Sequence, residues 1–514
     1  MIRKGRIIRW MFKMAPAPIL KLATALVLAG FIIPVAADIN PRDLESKVDQ
    51  LVASMQTEID ALPGLSIVVV QNEKELFRKG YGVANTTTQV PFTADTLSYL
   101  ASGTKSFVGL AVAILAEQGE LDLDRPVGPT YLADLDQEQL GIFAGTTLRQ
   151  LLTHTHGLEA EPVELRTAYT GNLATGEIWK LLGQMQPSES GDVFDYSNFG
   201  YVAASYVLEH FFGEPWQNIV ERLVLAPAGM DDTVFKVSDL LDRPYASPHR
   251  WRGSTQPVPV YKRDNTMHAA GGNFTTVGDL SRWLRLNLND GALDGKQVWP
   301  AAAVQLIRAP LTSMEQEFYE FQRKTYGLGW YDSDYDGERL FHHFGSFTGY
   351  RAHISMMPEV GMGVAILAND FSPPTAYLPD MIASYIYDLA LAKPLPEEKY
   401  AVQIAETVEK MAPYRGRTMP ERPRNAPSDE SSFAGVYESE RWGVIELRNK
   451  DGILRFHWGN AVSDLIYLDE DEGTFMRFEL SGDGYLAKLI RNEDGDVSAL
   501  GFRGYELRKR DQGD

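Results

Sequence analysis

The chain contains no cysteine. That excludes disulfides, thiolate zinc sites, a cysteine nucleophile and a lipidated N-terminal cysteine. It leaves the compartment open. Histidine is scarce, nine residues in 514, and none stands at a spacing from carboxylates that makes a metal site. Basic residues are outnumbered, 49 Lys and Arg against 69 Asp and Glu, for a formal charge of −20. Such a surface repels phosphate, so nucleic acid is excluded as a partner. After the first 37 residues no apolar run is long enough to span a bilayer. What is plentiful is apolar side chain: 44% hydrophobic against 23% charged. That supports a large core and excludes a wholly disordered chain. The length suggests two or three domains at about 100–200 residues each.

Residues 1–37 stand apart. Arg3, Lys4, Arg6, Arg9, Lys13 and Lys21 are basic and no acidic residue accompanies them. Leu22 to Ala37 is uncharged and mostly apolar, and Val35-Ala36-Ala37 places small residues before Asp38. This reads as an export signal, cut after Ala37 or kept as a membrane anchor, with the body outside the cytoplasm, in the periplasm or secreted. The remainder carries 43 basic and 69 acidic residues, a net −26.

Leu65 to Val70 is a continuous β-branched run, which predicts a buried strand, and Leu76 to Val83 predicts a second. From Ser102 to Gly119 the pattern is helical, apolar nearly all round in its middle, with Gly119 as a stop. Thr147-Leu-Arg-Gln150 fits a capping box, and Thr276 to Asp279 looks like a similar helix start. Met362 to Ala368 predicts another buried strand. Strands at both ends with helices between suggest a sheet carrying a large helical insert. Lys393 to Lys410 reads as a helix. Met411 to Ser432, with Pro413, Pro420, Pro423 and Pro427, reads as a linker. Beyond it Val444–Arg448, Ile453–Trp458, Phe475–Leu480, Tyr485–Arg491 and Ala499–Leu507 are strand candidates, with hairpin turns at Asp451-Gly452 and Asp494-Gly495. The expected organisation is therefore 1–37 signal, 38–392 main domain, 393–430 helix and linker, and 431–514 a small all-β domain.

Three clusters could carry chemistry. In Ser102-Gly-Thr-Lys105 the lysine lies one helical turn after the serine. A serine hydroxyl needs a neighbouring base to act as a nucleophile, and a lysine with a lowered pKa can serve. The helix N-terminus favours an oxyanion beside the Ser102 N–H. Alone, S-x-x-K arises by chance about once in a chain of this size. In Tyr196-Ser-Asn198 the phenol can move a proton and the amide can hold a substrate carbonyl. The third cluster is His343-Phe-Gly345. His457-Trp-Gly459 repeats that pattern, but it sits beyond the linker and alternates like an ordinary strand. His154, His156 and His342 read as structural.

S-x-x-K, then Y-x-N, then H-x-G before a buried strand resembles the penicillin-recognising serine hydrolases, most closely the branch of class C β-lactamases, D-specific peptidases and esterases. Leu151 to Leu158 is similar to a family segment that usually reads LLTHTSGL. Ala270 to Thr276 and Tyr326 to Trp330 are similar to other family segments. The resemblance covers about residues 45 to 392, and the tail from about 431 resembles a lipocalin-like β-barrel.

The resemblance implies an α+β fold, an antiparallel sheet flanked by helices with an all-helical lobe, plus the small C-terminal barrel. It implies Ser102 as the acylated nucleophile and Lys105 and Tyr196 as the proton-moving pair, with the general base open between them. Asn198 would bind the substrate amide. The Ser102 and Ser346 N–H groups would form the oxyanion hole, with Gly345 between His343 and Ser346. No cofactor is required. His343 stands where many relatives carry lysine. A histidine is only partly charged near neutral pH, which weakens the case for a β-lactamase, with Arg351 as the group able to supply the missing charge. Phe344 replaces a small polar residue and would add an aromatic wall. The expected function is hydrolysis of D-amino-acid-containing peptides or of esters. The rival is an idle binding protein that keeps the fold.

Overall fold

The computed structural model describes residues 39–171, 173–416, 425–470 and 473–510. The segment 1–37 read as an export signal lies outside them, as do Pro420 and Pro423. Among the described residues no helix is long and apolar enough to cross a membrane.

The main sheet has eight strands: β1 Gly64–Gln71, β2 Lys74–Gly82, β3 Thr312–Phe318, β4 Phe321–Tyr326, β5 Tyr331–Tyr335, β6 Glu338–Phe347, β7 Tyr350–Met357 and β8 Met362–Ala368. Their order is β2-β1-β8-β7-β6-β5-β4-β3, all antiparallel. The run Leu65–Val70 does not alternate because both faces of β1 are covered. Ile67 and Val69 join one core with α1 (Pro41–Glu58) and the C-terminal helices, while Val68 and Val70 join the other with the helical lobe.

In that lobe α2 (Thr104–Glu117) is buried from Thr104 through Leu115. Phe107 stacks on Trp283 at 4.0 Å between ring centres. The next long helix, α3, is Phe199–Phe212; Trp283 belongs to α4, Val277–Leu288. Thr276 caps α4 by accepting from the Asp279 N–H, and Thr147 and Gln150 form the expected capping box. On the opposite face α5 (Leu378–Ala390) lies against the sheet. The helix expected over 393–410 is α6, Pro396–Met411, and it packs Tyr400, Ile404 and Met411 into the core shared with α1 and α5.

The C-terminal sheet is a nearly closed barrel of nine strands: β9 Gly435–Ser439, β10 Gly443–Lys450, β11 Ile453–Trp458, β12 Ala461–Asp464, β13 Ile466–Glu470, β14 Gly473–Leu480, β15 Asp483–Arg491, β16 Val497–Phe502 and β17 Tyr505–Lys509. The Glu479 N–H of β14 donates to Ser463 Oγ of β12 and helps bridge the remaining gap. Three strands, β9, β12 and β13, go beyond those expected. The single strand expected over 499–507 is two, broken at Arg503-Gly504, both with positive φ (51° and 79°). That pair forms a two-residue hairpin turn whose twist suits the flanking strands. His457 lies in β11, as its alternation indicated.

The barrel rests on the main body through its turns. The Asn460 N–H donates to Thr170 O (2.7 Å), and Thr348 Oγ1 donates to Ser481 O (2.5 Å). Gly459, at φ 56°, approaches the Thr170 carbonyl so closely that a Cβ would collide with it.

Candidate active site

Ser102 sits in a single 3-10 turn, Ala101–Gly103, that leads into α2 rather than within the α-helix itself. Ala101 holds a left-handed φ of 49°, a conformation that costs free energy for a residue with a Cβ and persists where surroundings impose it. The surroundings are visible. β6 passes so close that a Cβ on Gly345 would collide with Leu100 O. Gly345 is thus required for the sheet edge to approach the serine turn. β5 pairs with β6 only as far as Tyr331 opposite His342. From His343 onward that edge of β6 has no strand neighbour and faces the serine turn.

Lys105 follows one turn after Ser102 and is fully buried. Its Nζ donates to Asn198 Oδ1 (2.8 Å) and to Ala270 O (2.7 Å). Burial lowers its pKa to about 7, partly opposed by Glu164. A large fraction is therefore the neutral amine at neutral pH, the form that accepts a proton. The ammonium lies 4.9 Å from the centre of the Tyr196 ring. The Tyr196 hydroxyl is turned toward Ser102 but stops short of hydrogen-bonding geometry. Burial holds its pKa well above the ordinary value, so it stays a neutral phenol.

Two residues outside the three catalytic clusters support this loop. Glu164 is half-buried, and its Oε1 accepts from Ser197 Oγ (2.9 Å) and from the Phe199 N–H (2.8 Å). It thereby fixes the residues on both sides of Asn198. His154 accepts the Ser197 N–H on Nδ1 (3.3 Å) and packs its ring 4.6 Å from that of Tyr196. Burial and the Lys105 charge keep His154 neutral, in keeping with a positioning role.

His343 is fully buried. Its Nδ1 lies 2.7 Å from Phe344 O and its Nε2 3.3 Å from the Tyr326 hydroxyl. Burial and the nearby Lys105 push its pKa well below the imidazole value. The partial charge expected of it is therefore absent at neutral pH. Arg351 does not replace that charge freely. Its guanidinium donates to Ser346 Oγ (3.1 Å) but is paired with buried Asp380 (2.9 Å). Phe344 does not form the expected wall: it stacks on Phe318 at 4.9 Å between centres.

The pocket at Ser102 has a volume of about 120 Å³. Asn198, Ser346, Tyr169, Phe347 and Lys262 line it, with no acidic side chain. Its aromatic lining is Tyr99, Tyr169 and Phe347. Lys262 has no counterpart in the motifs. It is buried, donates to Ala168 O (3.0 Å) and Thr266 O (3.2 Å), and lies 4.5 Å over the Phe347 ring. Burial lowers its pKa to about 7 as well. A separate cavity of about 190 Å³ beside Arg166 and Glu209 does not include Ser102, Lys105 or Tyr196. Among the described residues no group of His, Asp or Glu is arranged to hold a metal ion.

Comparison with known proteins places the fold in a family. The Beta-lactamase family model matches residues 45–384. The chain is 24% identical over 424 residues to "Unguisins hydrolase ungD" of Aspergillus violaceofuscus (strain CBS 115571), covering 75% of this chain and 73% of that one. It is 25% identical over 311 residues to "Protein flp" of Staphylococcus aureus (strain COL), covering 60% of each. Among solved structures, the octameric penicillin-binding protein homologue from Pyrococcus abyssi superposes with a TM-score of 0.58 at 23% identity, over 92% of this chain and all of that one. The D-amino acid amidase from Ochrobactrum anthropi SV3 gives a TM-score of 0.54 at 19% identity, over 72% of this chain and all of that one.

Proposed function

The chain belongs to the beta-lactamase family, and on that premise we propose that it is an exported serine hydrolase that works through an acyl-enzyme on Ser102 and cleaves peptides containing D-amino acids. The observation that carries the reading is the convergence of Ser102, Lys105, Tyr196 and Asn198, with Lys105 tuned to about pH 7.

In the proposed reaction Ser102 Oγ attacks the scissile carbonyl as its proton passes to the neutral Lys105 amine. The tetrahedral oxyanion is held by the Ser102 and Ser346 N–H groups. Tyr196, a neutral phenol, gives its proton to the leaving amine and is reprotonated from Lys105. Water enters by the reverse relay and releases the acid. The pKa values favour Lys105 over Tyr196 as the base, because a phenolate in this setting is much harder to form than a free amine. Asn198 holds Lys105 through Oδ1 and lines the pocket where a substrate amide would lie.

The D-amino acid amidase neighbour supports the amide side of the reading, and the relative named a hydrolase supports hydrolysis. Esters are the second reading, since a better leaving group uses the same relay. The neutral His343 argues against efficient β-lactam turnover, which favours a fixed positive charge for the ligand carboxylate.

Intact mass spectrometry after exposure to a fluorophosphonate and, separately, to a penicillin tests this. An adduct is expected on wild type and none on Ser102→Ala. Folded wild-type protein that takes neither probe leaves a binding protein as the explanation.

A further inference from the structure

Tyr169 stands between two cavities. On one side it lines the 120 Å³ pocket at Ser102. On the other it lines a cavity of about 550 Å³ between the 259–263 segment and barrel strands β12 to β14. Pro259, Tyr261 and Arg263 form the inner wall, and Val462, Ile466 and Arg477 are part of the barrel wall.

The gap between these walls is held by specific bonds. Besides the contacts of Asn460 with Thr170 and of Thr348 with Ser481, Asn460 Nδ2 donates to Asn265 Oδ1 (2.7 Å), and Asn265 Nδ2 donates to Gly171 O (3.0 Å). Arg250 donates to Gly482 O (2.9 Å) and pairs with Asp483 at 3.5 Å. Thr348 lies two residues after Ser346, so the barrel is fastened next to the oxyanion site.

Size separates the two cavities. The one at Ser102 falls well below the roughly 300–1,000 Å³ typical of sites that enclose a drug-sized ligand, whereas the outer one lies within that range. The lining of the outer cavity is mixed. Tyr169, Tyr261, Val462 and Ile466 supply apolar surface, and Arg477 is paired with Glu479 at 3.0 Å. Arg263 Nη1 donates only to the carbonyls of Val260 and Lys262, with no carboxylate partner among the described residues. Alternating apolar and polar surface with a spare cation suits a stretch of peptide better than a purely apolar ester.

We propose that this cavity is the distal subsite of the Ser102 pocket, and that the barrel is there to bind the part of an oligopeptide substrate lying beyond the residue at Ser102. The proposal rests on the reading of Ser102 as the acylated nucleophile. Tyr169 is the threshold the peptide crosses, and the barrel strands are its outer wall.

The test uses the full chain and a series of D-residue peptide amides extended by one to four residues on either side of the scissile bond. For wild type, kcat/KM is expected to rise about tenfold or more with extension on one side. Ile466→Trp narrows the cavity, and Val462→Trp does so from an exposed position that tolerates a large side chain. Each is expected to lower the ratio of kcat/KM for the longest against the shortest peptide by about tenfold. Labelling of Ser102 by a fluorophosphonate with kcat/KM independent of length overturns the subsite alone. A length ratio unchanged in both folded variants also overturns it. Failure of Ser102 to label overturns the hydrolase reading and the subsite with it.

Discussion

Lys105 and Lys262 make an instructive pair. Both are buried, both lack an adjacent carboxylate, both donate to backbone carbonyls, and burial lowers both to a pKa of about 7. Only Lys105 is one helical turn from Ser102, bonded to Asn198 and set against the Tyr196 ring. Lys262 ties the 166–170 turn to Thr266 and caps the ring of Phe347. A perturbed pKa thus marks a buried amine, and geometry decides which amine does chemistry.

The sharpest way to break the comparison is to remove each amine. Lys105→Ala is expected to slow acylation by about 10²–10⁴-fold, the range of a positioned general base, whereas Lys262→Met retains most of it; single-turnover acylation kinetics check this. In wild type the acylation rate should rise with pH up to about 7 and then level, as Lys105 loses its proton. That rising limb persists in Lys262→Met and vanishes in Lys105→Ala.

A smaller effect concerns what holds the Lys105 side in place. Glu164→Ala leaves the half-buried Ser197 hydroxyl without its acceptor and removes one of two acceptors of the Phe199 N–H, which also donates to Ser197 Oγ (3.0 Å). With one group orphaned, a loss of about 1–3 kcal/mol in stability is expected by denaturant titration.

A last effect, spread over several pH units, is shared by both lysines. Each has a folded pKa below its unfolded value of 10.5. Between about pH 7 and 10.5 the unfolded chain therefore binds more protons, and stability rises with pH across that window. Each group contributes a slope of up to about 1.4 kcal/mol per pH unit. Lys262→Met is expected to flatten the stability–pH curve by one such share, leaving the share of Lys105.

The difference between the lysines also explains what the sequence disclosed. Ser102 and Lys105 are local neighbours, and Tyr196 and Asn198 share one turn, so short motifs expose them. Glu164 reaches Phe199 across 35 positions and Lys262 reaches Ala168 across 94, and no short-range pattern encodes such contacts. The buried strands β1 and β8 were legible as uninterrupted apolar runs. Strands β12 and β13 escaped because they are short and partly exposed, with Ser463 and Asp464 interrupting the pattern. The charge state of His343 is not legible in the sequence, because residue type sets the ordinary imidazole pKa while burial beside Lys105 sets the actual one.

The hydrogen bond from Thr348 to Ser481 joins the end of β6 to a barrel turn, two residues from Ser346. Heat or denaturant that loosens the barrel is expected to disturb the end of β6 beside Ser346, the proposed oxyanion donor. The molecule is therefore expected to lose turnover at the melting point of its accessory module, which makes the barrel the thermal fuse of the enzyme.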